Sequence, residues 1–226
     1  TDDDEAFEIW NKDIGLPPER IIRMEDNFWE IGSGPCGPCS ELYVDLGAER
    51  GCGKPDCAVG CNCDRYLEIW NLLFIQYNRV SVDRFEPLPA KHVDTGMGFE
   101  RIVAILQDVN SNYRTDLFSP MMKKIRELAG TSIDEMDADF TPYRVIADHT
   151  RAAAFLIADG VVPGNIGRNY VCRMIIRRAA RFGSKIGLSE PFMAKVAQVV
   201  IDRYGEAYPE LTKNQKNKKS TQSTEF

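Results

Sequence analysis

Residues 91 to 107, KHVDTGMGFERIVAILQ, constrain this chain more than any other stretch. They predict a strand, a break at Gly96 and Gly98, and then a helix. After the break, Phe99, Ile102, Val103 and Leu106 keep the i, i+3, i+4, i+7 spacing of one buried helix face, and Glu100 and Arg101 fall off it. Gly96 and Gly98 let backbone come close to a ligand where a Cβ would clash. Arg101 sits in the first turn, where a fixed guanidinium can meet a phosphate bidentately. Asp94, at the strand end, suits an amine or a metal. An ordinary strand, turn and helix with surface charges has the same look, because short glycine motifs match often.

The sequence has 226 residues, room for one large domain or two smaller ones, and 43% hydrophobic residues, enough for a sizeable core. It has no long apolar run that could span a membrane. It starts with an acidic stretch, Thr1-Asp2-Asp3-Asp4-Glu5, the opposite of a basic secretion signal, so a cytoplasmic location is expected. The net charge of −6 argues against indiscriminate coating of nucleic acid. The charge is uneven, however. From Arg168 to Lys185 there are five Arg, one Lys and no acid. Such a patch fits a directed nucleic-acid contact or a solvated helix face.

Residues 5 to 14 predict a short helix ended by Pro17-Pro18. Residues 20 to 31 and 41 to 46 alternate like strands, with a Gly/Pro loop at 32 to 38 between them. Residues 66 to 78 suit a buried strand. Strands with little helix between them predict an antiparallel sheet. After Gln107 the period changes to that of helices, at 116 to 128, 143 to 158, 169 to 182 and 190 to 204. The fold class expected is α+β: an antiparallel sheet over residues 1–108, then an all-helical domain over 109–211. Residues 212–226 predict a disordered tail, because 212 to 225 contain no apolar residue.

Six of the seven cysteines lie between residues 36 and 63. Cys52, Cys57, Cys61 and Cys63 have the spacing C-x4-C-x3-C-x-C. Four thiolates so close can supply the tetrahedral sulfur shell that zinc prefers, and Gly51, Gly53, Pro55 and Gly60 supply the turns. Reduced loop thiols or disulfides are the alternatives. Further on, Arg173, Arg177 and Arg181 form one stripe of a helix with Arg178 beside it, while Cys172, Ile175, Ile176 and Ala179 occupy another side. His149 falls on an apolar stripe and reads as a packed core histidine.

Asp94-Thr95-Gly96-Met97-Gly98-Phe99-Glu100-Arg101 resembles motif 3 of class II aminoacyl-tRNA synthetases, in the form found in the alanyl-tRNA synthetases. Three further stretches resemble the same family in the same order. They are Asn27-Phe28-Trp29 with Gly34-Pro35-Cys36-Gly37-Pro38-Cys39-Ser40-Glu41, then Tyr66-Leu67-Glu68-Ile69-Trp70-Asn71, then Ala147-Asp148-His149 running on to Arg178. The resemblance covers nearly the whole chain.

That resemblance implies ATP-dependent attachment of alanine to tRNA through alanyl-adenylate. It implies an alanine site lined by Trp29, Asn71, Leu73 and Gly96, with Asp94 pairing the ammonium, and an ATP site at Gly98 and Arg101, with magnesium accompanying the nucleotide. Leu73 stands where the family often has Val. It also implies that the loop Pro163-Gly164-Asn165-Ile166-Gly167-Arg168 and the helix carrying Arg173, Arg177, Arg178 and Arg181 meet the acceptor stem of tRNA(Ala). Asn165 matches the position that reads a G:U pair. Ile166, Asn169, Cys172 and Met174 depart from the family's usual Glu, Gly, Leu and Arg. The cysteine cluster is expected to be structural, because some family members have a cysteine-free insert there. No segment matches motifs 1 and 2, so the chain is expected to be an internal fragment, inactive alone. The rival readings are a non-catalytic RNA-binding module and a zinc-stabilised scaffold.

Overall fold

The computed structural model describes residues 3–213. Contacts divide the chain into two units, Thr1–Leu106 and Gln107–Phe226.

The first unit is built on a four-stranded antiparallel sheet, in the order β1-β2-β3-β4, so each strand pairs with its sequence neighbour. The strands are β1 (Phe28–Glu30), β2 (Gly34–Asp45), β3 (Tyr66–Ser81) and β4 (Arg84–Met97). A short helix α1 (Asp4–Glu8) precedes them and continues as a π-helix over Ile9–Asp13. Trp10 Nε1 ties this segment to Ser40 Oγ of β2 at 3.0 Å. Helix α2 (Phe99–Leu106) follows β4 directly.

Three strand expectations need correction. The Gly/Pro stretch at 32 to 38 is not a loop from Gly34 onward: Gly34, Pro35 and Cys36 pair with Arg79, Asn78 and Tyr77. The prolines are accommodated because the register slips between Cys36 and Cys39, and prolines fit a sheet at such irregularities. Gly37 is required there, because a Cβ would lie 2.0 Å from the Phe74 carbonyl oxygen. Of the alternation at 20 to 31, only Phe28–Glu30 pairs as strand. Strand β4 starts well before the predicted segment, across a tight turn at Val82 and Asp83 that leaves Ser81 opposite Arg84.

The face predicted for α2 is also corrected. Phe99 is 60% and Leu106 77% exposed, Ile102 and Val103 are half-buried, and Ala104 is the buried residue. The physical reason is polar anchoring. Gly98 N donates to the Ile69 carbonyl at 2.8 Å, and Arg101 Nη1 donates to the Glu68 carbonyl at 2.6 Å. These bonds turn the 98, 101, 104 side of the helix towards β3.

The second unit is helical: α3 (Ser119–Ala129), α4 (Ile133–Ala138), α5 (Phe140–Ala158), α6 (Gly167–Lys185), α7 (Met193–Tyr204) and α8 (Glu210–Lys213). Its core gathers Met121 and Ile125 of α3, Ile146 and Ala147 of α5, Cys172 and Ala179 of α6, Val196 and Val200 of α7, and Leu211 of α8, all buried. Gly130 ends α3 in the left-handed region at φ 68, which glycine adopts without strain. Helix α4 was not anticipated, although a capping box between Ser132 and Glu135 starts it. Thr212 and Lys213 belong to α8, so the predicted tail starts too early by those two residues, and its remainder lies outside the described residues.

Candidate functional site

Strand register places the predicted pocket residues. Glu41 of β2, Asn71 of β3 and Gly96 of β4 stand in one row, and Cys39, Leu73 and Asp94 in the next. Directly opposed residues of antiparallel strands share a face. Asn71, Leu73, Asp94 and Gly96 therefore lie together on one face of the sheet. Asp94 is exposed, and one of its oxygens accepts from Thr95 N at 2.8 Å. Trp29 is half-buried in β1, opposite Gly37, across the register slip of β2.

Three neighbours that sequence reasoning did not single out complete this face. Asn71 Nδ2 donates to Glu41 Oε1 at 3.1 Å, and Tyr43 Oη donates to Glu41 Oε2 at 2.7 Å. Burial pushes the Tyr43 hydroxyl well above its ordinary pKa, and its bond to Glu41 adds to the rise. Arg101 Nη1 also reaches the Glu68 carboxylate at 3.4 Å, and Gly98 lies at the start of the same helix. Glu41, Tyr43 and Cys39 line a cavity of about 730 Å³ with Asn27, Tyr66 and Ile69, but Trp29, Asn71, Leu73, Asp94 and Gly96 are not among its lining residues. That volume is in the range of small-ligand sites. The signal for Glu41 was its place in the Gly34–Glu41 motif, but its partner lies thirty residues away in sequence.

The cysteines form a second site. The sulfurs of Cys52, Cys57, Cys61 and Cys63 all lie within 4.8 Å of one another. Cys52 and Cys61 are 3.6 Å apart, as are Cys57 and Cys63. Four sulfurs at zinc-bonding distance from one centre stand about 3.8 Å apart. A disulfide needs about 2.05 Å, so these thiols are unbridged. The backbone N–H of Arg65 helps hold the Cys63 thiol down to about 7, while hydrogen bonds donated to Cys52 and Cys63 push Cys61 up to about 12. At the base of this loop Arg65 grips Asp45 with two bonds of 2.8 Å, and Leu46 N donates to the Arg65 carbonyl. Cys36 and Cys39 are buried in β2 and stand outside the cluster.

The basic helix is α6. Arg168, Arg177, Arg178 and Arg181 are exposed, and Arg173 is half-buried. Arg173 Nη1 donates to Asn165 Oδ1, so the loop residue and the helix are linked. Cys172, Ile176 and Ala179 are buried on the other side, as their spacing predicts. His149 is largely buried on α5, bonded through Nδ1 to Asp148 at 3.0 Å. That bond and the nearby Arg151 and Arg178 lower the Asp148 carboxyl. Among the described residues no helix is long and apolar enough to cross a membrane.

Comparison with known proteins identifies the family. The profile of the family described as tRNA synthetases class II (A) aligns with residues 1–225. An alanine–tRNA ligase of Desulforamulus reducens is 56% identical over 93% of this chain, which covers 24% of that protein. One from Pelotomaculum thermopropionicum is 53% identical over 93% of the chain and 24% of its own length. One from Acetivibrio thermocellus is 50% identical over 96% of the chain and 25% of its own length. The chain thus spans about a quarter of the length of these relatives. The antiparallel sheet, the strand–glycine–helix unit ending in Arg101 and the profile match agree: this chain belongs to the class II (A) family of tRNA synthetases.

Proposed function

We propose that this chain supplies the later part of the catalytic domain, residues 1–108, and the helical tRNA-recognition domain, residues 109–211, of an ATP-dependent ligase that joins alanine to tRNA(Ala). The relatives' names support the substrate pair. The observation that carries the reading is the register of β3 and β4, with Asn71 opposite Gly96 and Leu73 opposite Asp94. In this reading Asp94 pairs the alanine ammonium. Asn71, Leu73 and Trp29 wall the side chain, and Gly96 leaves backbone open to the ligand. Gly98 starts the helix that presents Arg101 to a phosphate of magnesium–ATP.

The alanine carboxylate attacks the α-phosphorus. A new O–P bond forms, the bond to the bridging oxygen breaks, and pyrophosphate leaves with that oxygen's electron pair. A ribose hydroxyl at the tRNA end then attacks the acyl carbon of the adenylate and AMP leaves. The protein's contribution is to position groups and to neutralise developing charge. Arg101 rests on Glu68 in the free protein, so phosphate has to compete with that carboxylate. On the helical unit, Arg168, Arg173, Arg177, Arg178 and Arg181 attract acceptor-stem phosphates and Asn165 reads a base pair in the shallow groove of RNA. Cys52, Cys57, Cys61 and Cys63 fit a structural zinc. Bound by these four ligands, a zinc would leave no open position, so it would fix the loop and supply no chemistry. The reading places the protein in the cytoplasm.

The test is ATP–pyrophosphate exchange by the complete ligase that carries this chain. Asp94→Ala should abolish alanine activation, and Arg101→Ala should lower it by about a hundredfold or more, the scale of a lost charge-stabilising contact. Undiminished exchange in both variants would refute the assignment and favour a non-catalytic RNA-binding role.

A further inference from the structure

The groups around Asn71 form one directed chain. Tyr43 Oη donates to one oxygen of Glu41 and Asn71 Nδ2 donates to the other, at 2.7 and 3.1 Å. A carboxylate accepts and does not donate. The Asn71 amide must therefore turn its NH2 group towards Glu41, which sends Oδ1 the other way. Oδ1 is screened from solvent and has no hydrogen-bond partner among the described residues. A buried acceptor left in that state carries a desolvation cost that a donor would relieve.

No side chain of the described residues donates to Oδ1, since Tyr43 is spent on Glu41 and Arg101 on Glu68. Gly96 stands opposite Asn71, and Asp94, one row on, is itself an acceptor. An ammonium held by Asp94 has three N–H donors and only one carboxylate to satisfy. The reversed amide would set NH2 against that ammonium, donor against donor. The orientation imposed by Glu41 is thus the one that suits an amine.

We infer that Glu41 is a positioning residue of the amino-acid site: held by Tyr43, it locks the Asn71 amide so that the oxygen, not the nitrogen, meets the substrate ammonium. The inference rests on reading Asn71 and Asp94 as the amino-acid pocket. Glu41 itself does not touch the ammonium. Its effect passes through Asn71, so it falls on amino-acid binding and spares ATP, whose proposed contact is Arg101.

The experiment is ATP–pyrophosphate exchange by the complete ligase, varying alanine and ATP separately, for Glu41→Ala, Glu41→Gln, Tyr43→Phe and Asn71→Ala. Glu41→Ala should raise the KM for alanine about tenfold while the KM for ATP stays within about twofold. Glu41→Gln keeps an acceptor for Asn71 and should recover most of that loss. Tyr43→Phe should give a smaller rise, about threefold, again for alanine alone. Thermal unfolding accompanies each variant. If Glu41→Ala does not fold, the alanine-selective rise in Tyr43→Phe decides. An unchanged alanine KM, or equal rises for alanine and ATP, would overturn the inference. Asn71→Ala separates the two levels. If it leaves the alanine KM unchanged, the pocket reading falls and the inference with it. If it raises that KM while Glu41→Ala does not, only the inference falls.

Discussion

Gly37→Ala tests whether close strand approach at the register slip holds the sheet that carries the site. A Cβ at Gly37 would lie 2.0 Å from the Phe74 carbonyl oxygen and 3.1 Å from Gln76 N. Carbon needs about 3.3 Å from a carbonyl oxygen, so β2 and β3 would have to part locally by about 1.3 Å. Ladder bonds near 2.9 Å, stretched by that much, are no longer hydrogen bonds. Two such bonds at about 1 kcal/mol each, with about 1–3 kcal/mol for overpacking, give a loss of about 3–5 kcal/mol. Urea unfolding measures it, and fluorescence reports on this unit because the chain's three tryptophans, Trp10, Trp29 and Trp70, all lie in it. With a slope of about 2 kcal/mol/M, the midpoint should fall by about 1.5–2.5 M. Gly96→Ala is the control: its Cβ would meet nothing within 4 Å, and its φ lies outside the left-handed range. It should shift stability by less than about 0.5 kcal/mol, yet weaken alanine activation, because the added methyl points into the space proposed for ligand. A Gly37→Ala midpoint within about 0.3 M of the parent would refute the close-approach argument.

Other outcomes follow from the remaining geometry. Protein purified without chelator should hold about one zinc per chain, and Cys57→Ser should lose most of it; less than about a tenth of an equivalent after zinc is offered would exclude the site. Arginine-to-alanine changes at Arg168, Arg177, Arg178 and Arg181 should weaken binding of all tRNAs and lower the salt slope by up to about one each. Arg173→Ala should do so too and, because Arg173 also holds Asn165, should in addition narrow the gap between G:U and G:C acceptor stems by about 1–3 kcal/mol, as Asn165→Ala should. Equal losses for both stems would remove Asn165 and Arg173 from base reading. The Asp45 carboxyl is held down to about 2, chiefly by its hydrogen bond from Arg65. A depressed folded pKa gives stability that is present above the unfolded value of about 3.9 and is lost as pH falls through about 2, so Asp45→Asn should flatten the pH dependence of stability across that window. An unchanged acid limb would show that the grip on Arg65 does not stabilise the loop.

The helical half was legible because burial there follows one period. The stripes at 116 to 128 and 143 to 158 became α3 and α5, and the apolar side of α6 is buried where its spacing placed it. The sheet was less legible, for physical reasons. Gly34 to Pro38 carry the residues of a turn, yet they pair as strand because the register slip accommodates the prolines and Gly37 admits the Phe74 carbonyl. The turn at Val82 and Asp83 lacks the glycine that announces a tight hairpin, so the first part of β4 went unassigned. Helix α2 has the apolar stripe of a buried face, but Gly98 and Arg101 anchor another side.

The site divides in the same way. Asp94, Gly96, Gly98 and Arg101 are visible in sequence because they occupy one continuous motif, where residue type and spacing carry the message. What they act upon is not visible, because it depends on which residues stand opposite them. Glu41 meets Asn71, and Glu68 meets Arg101, only through pairings that cross thirty or more positions of the chain. The register of three strands converts separate motifs into one polar face: β4 contributes the acid, β3 the amide, and β2 the carboxylate that orients the amide. A one-residue slip in either pairing would send one partner to the opposite face. The glycine and proline run of β2, which reads as a loop, therefore bears on chemistry, because the slip it permits sets Glu41 in the row of Asn71.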